Sequence, residues 1–244
     1  MLKSLNKSFN AYKKHPFIFI WGSLIYILML VVFLLAAIGF FLIYFMGASL
    51  ANVPVDIDEI PTMIVLGLII FVFLYFISGL SAGLAMTYRK ALTTNRTSLA
   101  EFYAYAIRKA PVMFGILILR DVLTLLVVGP AAAVYFFFLE NVEFMDAVLA
   151  IYALFWIFVF HCIFTPAFVA AGAFDESLFQ SMHRAFRTLK TKHISYIGLF
   201  IVFALMWLLN FIPLIQLATL FFLYPVIYTA IIVMMGGAQV MQEE

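Results

Sequence analysis

The chain has 244 residues, 67% of them hydrophobic and only 11% charged, with 29 phenylalanines and a mean hydropathy of +1.15. A soluble domain carries about 25% charged residues, and no water-soluble fold hides that much apolar surface behind so few charges. One cysteine, Cys162, excludes an internal disulfide and a multi-cysteine metal site, and the length leaves room for about six spans of roughly 20 residues.

Met1 to His15 puts Leu2, Leu5, Phe9 and Tyr12 on one helical face and Lys3, Lys7, Lys13 and Lys14 off it, the pattern of an interfacial helix. The charge-free run Phe17 to Met46 follows as span 1. It is too long for the apolar core of a signal peptide, so it reads as a retained span. The loop Gly47 to Pro61 holds Asp56, Asp58 and Glu59, and span 2 covers about Thr62 to Tyr88. After Arg89, Lys90 and Arg96, Ser98 and Glu101 form a capping box that opens a second basic amphipathic run with Leu99, Phe102, Tyr103, Ala106 and Ile107 on one face. Span 3 runs from Pro111 to around Pro130, and AAAVYFFF continues it past a proline kink or lies at the outer interface. An acidic loop, Glu140 to Asp146, precedes span 4, about Ala147 to Phe174. A third amphipathic run carries Leu178, Phe179, Met182, Ala185, Phe186 and Leu189 on its apolar face, flanked by Arg184, Arg187, Lys190 and Lys192. Span 5 reaches about Asn210, the chain turns at Asn210 to Pro213, and span 6 ends near Gln239.

The charges orient this series. Of the 14 Lys and Arg, 13 fall at the N-terminus, after span 2 or after span 4, which by the positive-inside rule puts both termini and all three amphipathic runs in the cytoplasm. The expected fold is all-α, a single domain (1–244) of six transmembrane helices arranged as three hairpins, each preceded by a cytoplasmic amphipathic helix, in the cell membrane. A shift of 83 residues pairs Lys109 with Lys192, Gly115 with Gly198 and Pro130 with Pro213. Units 1–88, 98–174 and 176–244 thus read as a divergent parallel repeat.

Within the apolar runs the polar residues stand out by depth. At about 1.5 Å per residue, Arg120 and Asp121 lie roughly 16 Å into span 3 and His161 roughly 18 Å into span 4, with Ser78 and Tyr228 at similar depth. A charge there costs about 2.5–3.5 kcal/mol on insertion scales, so it should face the bundle interior and find a partner. Neighbours on a helix point about 100° apart; Arg120 and Asp121 are therefore expected to pair elsewhere, Asp121 with His161. The cluster reads either as a midplane pathway for a small solute or lipid, or as a strut that holds the bundle together. The basic runs offer Lys13, Lys14, Arg108, Lys109, Arg184, Arg187 and Lys190 as contacts for anionic lipid headgroups, at about 1 kcal/mol per nearby cation, or serve as elbows that orient each hairpin.

Other chemistry is poorly represented. Gly79-Leu80-Ser81-Ala82-Gly83 matches the nucleophile-elbow spacing, but that motif needs a strand-to-helix turn. In a membrane helix the same glycines read as close helix packing. There is no H-E-x-x-H, P-loop or dinucleotide fingerprint; no enzyme activity, cofactor or nucleic-acid partner is expected. Asn95-Arg96-Thr97 is a sequon on the side where glycosylation does not occur.

The segments SFNAYKKHPF, TYRKAL, SLAEFYAYAIRKAP and FTPAFVAAGAFDESLFQSMHRAFRTLK resemble a loose group of prokaryotic six-span membrane proteins. The group includes the membrane domain attached to some glycerophosphoryl diester phosphodiesterases. The resemblance implies a six-span helical fold and carries over no catalytic residue, because that chemistry belongs to a separate soluble domain. The expected function is transport or conduction through the midplane cluster; the alternative is a membrane scaffold or lipid-interacting protein acting through the basic helices. The bilayer and its anionic headgroups are the expected partners, with a homo-oligomer or a membrane-protein partner left open.

Overall fold

The computed structural model describes residues 2–51, 60–93, 98–139, 142–209, 216 and 219–236. Among the described residues there is no strand. Helix α1 (Leu2–Lys14) stops at His15, and Pro16 begins α2 (Pro16–Leu50) at the first helical position, where a missing N–H breaks no intrahelical bond. Then come α3 (Ile60–Thr93), α4 (Leu99–Val134) with a π-helical turn at Tyr135–Leu139, and α5 (Met145–Ala173). Helix α6 (Leu178–Thr191) meets α7 (His193–Leu209) at a sharp corner, and a π-helical turn at Thr219–Leu223 leads into α8 (Tyr224–Gly236). Five helical segments are long and apolar enough to cross a membrane, or six if α6 and α7, bent by 105°, form one span. The protein is a multi-pass membrane protein by that measure. Asp56, Asp58, Glu59, Arg96, Glu140, the sequon, the turn Asn210 to Pro213 and Gln239 lie outside the described residues.

The second amphipathic run and span 3 are one continuous helix, not two. Ser98 Oγ accepts from the Glu101 amide and the Glu101 carboxylate accepts from the Ser98 amide, so the capping box expected from the sequence starts α4. The helix then passes straight through Pro111. Packing explains why the proline does not end it: Phe102, Ala106, Ala110 and Met113 on either side are buried, and α4 lies along α3 over this length. The contact is close because α3 carries Gly79 and Gly83 there. A Cβ on Gly79 would sit 2.6 Å from the Ala106 carbonyl oxygen, and one on Gly83 would sit 3.0 Å from the Phe102 ring. Gly172 of α5 approaches the other side of α3 in the same way, 2.8 Å from the Ala85 methyl. Helix α3 therefore sits centrally, with α2, α4, α5 and α8 around it.

Helix α1 departs from its expected place. It packs along α8, with Ser8 and Tyr12 buried, and the Tyr12 hydroxyl donates to the Phe221 carbonyl at 3.1 Å. The sequence placed Tyr12 and the start of span 6 on opposite sides of the membrane; the fold brings them together. Residue counting fixes depth only for a helix that stands upright, and α8 begins beside Tyr12 and Ser23 and ends beside Arg184 and Lys192.

Burial is uneven along the long helices. It covers Phe19 to Ile25 in α2, Ser78 to Ala91 in α3 apart from Thr62, Phe102 to Ile116 in α4 and Cys162 to Ala173 in α5. The remaining lengths expose large apolar side chains such as Ile43, Leu68, Leu125 and Phe155, as surfaces facing lipid tails do.

Candidate functional site: a charged junction and a basic groove

The midplane cluster does not assemble as the sequence suggested. Arg120 and Asp121 pair with each other: Nε and Nη2 lie 2.8 and 2.7 Å from Asp121 Oδ1. The long guanidinium arm bridges the angle between neighbouring positions, which the expectation of separate partners overlooked. The Asp121 side chain is 52% exposed, and among the described residues nothing joins it to His161. The His161 ring packs on Phe203, 6.2 Å between centroids. Ser78 donates to the Tyr75 carbonyl of its own helix at 2.7 Å. Tyr228 stacks on Tyr224 and packs edge-on to Tyr88, 6.2 Å away. Tyr88 is ten positions along α3 from Ser78, about 15 Å, so Tyr228 sits at a different level from the rest. Cys162 is buried, and Ser81 donates to the Ile77 carbonyl.

What the tyrosines do form is a buried polar knot where α2, α3 and α8 meet. Ser23 and Tyr88 share a 2.8 Å hydrogen bond, Ser23 also donates to the Leu220 carbonyl, and the Tyr224 hydroxyl donates to that of Tyr228 at 3.4 Å. The sequence carried one sign of it, two tyrosines four apart in YPVIY, which share a helix face.

The dense charge lies instead where α5 ends. Helix C-termini leave carbonyls without partners and attract cations. Here Tyr105 donates to Gly172 O, Arg89 to Ala173 O and Lys109 to Glu176 O, at 2.7, 2.7 and 3.0 Å. Asp175 takes a left-handed backbone conformation, φ 57°, just past the end of α5. Its carboxylate lies 2.6 Å from Lys109 Nζ and 2.9 Å from Arg108. Burial raises the Asp175 carboxyl, but the hydrogen bond and charge of Lys109, and then of Arg108, outweigh it and hold the group below the ordinary carboxylate range. Lys109 is only 7% exposed and so is not a headgroup contact, contrary to the sequence expectation. It is a buried internal tie. Lys192, its counterpart under the 83-residue shift, likewise donates to a carbonyl at the end of a later helix, Met234 O of α8, at 2.5 Å.

Helix α6 builds the outer side of this junction. A second capping box, Ser177 with Gln180, starts it. Ser181, Ala185 and Thr188 are buried, so the inward face is its small-residue strip. Phe179 and Phe186 point outward at 84% and 51% exposure, next to exposed His183, Arg187 and Lys190. Arg184 stays behind: Nε and Nη2 lie 2.6 and 2.5 Å from Glu176 Oε1, and its guanidinium stacks over Phe174. Between α6 and the end of α8 runs an open groove of about 670 Å³, lined among others by Glu176, Phe179, His183, Arg187, Lys192 and Met234. Of the other sequence candidates, Lys13 lies over the Phe9 ring, Lys14 is exposed and Arg108 is 62% exposed. Among the described residues no group of three or more metal-ligating side chains comes together. Two further grooves, between α2 and α3 and between α4 and α5, are lined almost wholly by apolar side chains.

Comparisons of the chain with protein-family models, curated proteins and solved structures found no match.

Proposed function

We propose that this multi-pass membrane protein is non-enzymatic and acts as a lipid-interacting element of the inner leaflet. Its basic end would face the cytoplasm, as the positive-inside rule directs, in the cell membrane. The observation that supports the reading is the outward face of α6, where two exposed phenylalanines alternate with exposed cations. Apolar rings enter the acyl boundary while cations meet anionic headgroups. The protein's six-span fold would be shared with the membrane domains attached to some glycerophosphoryl diester phosphodiesterases, without their chemistry. Transport through the midplane is the weaker proposal, since among the described residues no hydrogen bond links Ser78, Tyr228 or His161 to the Arg120–Asp121 pair.

The test is lipid retention. The purified protein, extracted with its annular lipid, is expected to be enriched in anionic phospholipid over bulk membrane. The variant Lys13→Gln, Lys14→Gln, Arg108→Gln, Lys190→Gln is expected to lose that enrichment, since each cation contributes about 1 kcal/mol. Unchanged enrichment would refute the reading.

A further inference from the structure

Resting on that lipid-binding reading, we propose that the groove between α6 and the end of α8 binds one phospholipid headgroup of a particular kind, phosphoethanolamine. Its phosphate would lie on Arg187 and Lys192, and its ammonium on Glu176.

Position comes first. Helix α6 meets α7 at 105°, so when α7 crosses the bilayer, α6 lies along its surface. The groove on α6 is then at headgroup depth, with Lys192 at the corner and Met234 at the end of α8 as its inner wall. Two cations there are free to take a phosphate. Arg187 is exposed, and among the described residues its side chain has no hydrogen-bond or ion-pair partner. Lys192 gives one donor to Met234 O and retains two of its three. Arg184 is not available, because Glu176 and the Phe174 ring hold it.

The second half comes from Glu176. Both guanidinium contacts converge on Oε1, and Oε2 is buried with no hydrogen-bond partner. Buried polar atoms are nearly always satisfied, and an orphan calls for a missing partner. An ionised carboxylate oxygen only accepts, so the partner must be a donor, and an ammonium makes the strongest such bond. A bare phosphate would leave Glu176 Oε2 without a donor; a headgroup with a phosphate at one end and an ammonium at the other satisfies both walls of the groove. Reaching Oε2 takes a side-chain rotation, because the oxygen is enclosed. Choline carries the same charge but no N–H, and so cannot satisfy Oε2.

The experiment measures retention of phosphatidylethanolamine, phosphatidylcholine and phosphatidylglycerol by the full-length protein delipidated and reconstituted into mixed vesicles. Wild type is expected to retain phosphatidylethanolamine over phosphatidylcholine by about tenfold, a charge-assisted hydrogen bond's worth. Glu176→Gln is expected to bring the ratio near one while phosphatidylglycerol retention persists. Equal retention of the ethanolamine and choline lipids by wild type overturns the proposal, and that comparison needs no variant to fold. A full preference retained in Glu176→Gln overturns it as well. Displacement by soluble phosphoethanolamine as effective as by the lipid overturns the lipid assignment. Phosphatidylglycerol enrichment without ethanolamine preference sinks this inference and leaves the lipid-interacting reading standing; no enrichment of any phospholipid sinks both.

Discussion

Arg120 and Asp121 set the rule for single charges in this protein: each ionised group in an apolar surrounding is held by a near neighbour. The pair joins two successive residues, so removing either one strands the other in a span. Breaking a low-dielectric ion pair costs more than replacing it whole with apolar side chains. Asp121→Asn and Arg120→Leu alone are therefore expected to lower thermal stability in detergent by about 1–3 kcal/mol each, while the double variant Arg120→Leu, Asp121→Leu recovers most of that loss. A double variant at least as unstable as the sum of the singles would show that the charges serve something besides each other. At this scale the sequence was informative about which residues stand out and poor about what they touch. Charge identity and depth follow from counting, but a partner depends on side-chain reach and helix rotation. The mutual Arg120–Asp121 pair, the inward-turned Lys109 and the misplaced Tyr228 all trace to that gap.

Between elements, the glycines decide how near two helices come. Gly79 has the Ala106 carbonyl oxygen and Ala110 where a side chain would be, and Gly67 on the same helix has nothing within 4 Å. Gly79→Ala must push α3 and α4 apart at their backbones and is expected to cost about 1–3 kcal/mol. Gly67→Ala, with open space and better helix propensity, is expected to be neutral or to stabilise by up to about 1 kcal/mol. Paired melting curves of the two variants check this; similar melting points would mean that α3 and α4 do not pack as described. The tight contact here was legible in Gly79-x-x-x-Gly83 because small-residue spacing acts through backbone proximity alone. The extent of α4 was not, since a proline in an apolar run reads as a boundary until packing on both sides of it is known.

The whole molecule is tied together at its basic end. Lys109 on α4, Arg89 on α3 and the turn at Asp175 after α5 form one charged junction, and its integrity depends on Asp175 being ionised. With its folded-state pKa held below the unfolded value, Asp175 stabilises the fold at pH values above the ordinary carboxylate range. That contribution falls away as acid titrates the folded carboxyl. Thermal stability of the wild type is expected to decline as pH drops below about 4, with Asp175→Asn lower at neutral pH and flatter across that interval; parallel pH profiles for the two proteins would exclude the role. Class and approximate span positions could be read from the sequence because apolar length and charge placement act independently of tertiary contacts. The meeting of α1 with the start of α8, and the corner between α6 and α7, could not, because they depend on which surfaces close over one another.

The confinement of protein–protein burial to one part of each long helix has a mechanical consequence. Those inner lengths are clamped by neighbouring side chains, whereas the outer lengths of α2 to α5 take much of their lateral support from acyl chains. A thinner or stretched bilayer exerts its load on the unclamped arms first, and the clamped junction is their common pivot. A change in bilayer thickness is therefore expected to displace the exposed lengths of α2 to α5 more than the buried ones.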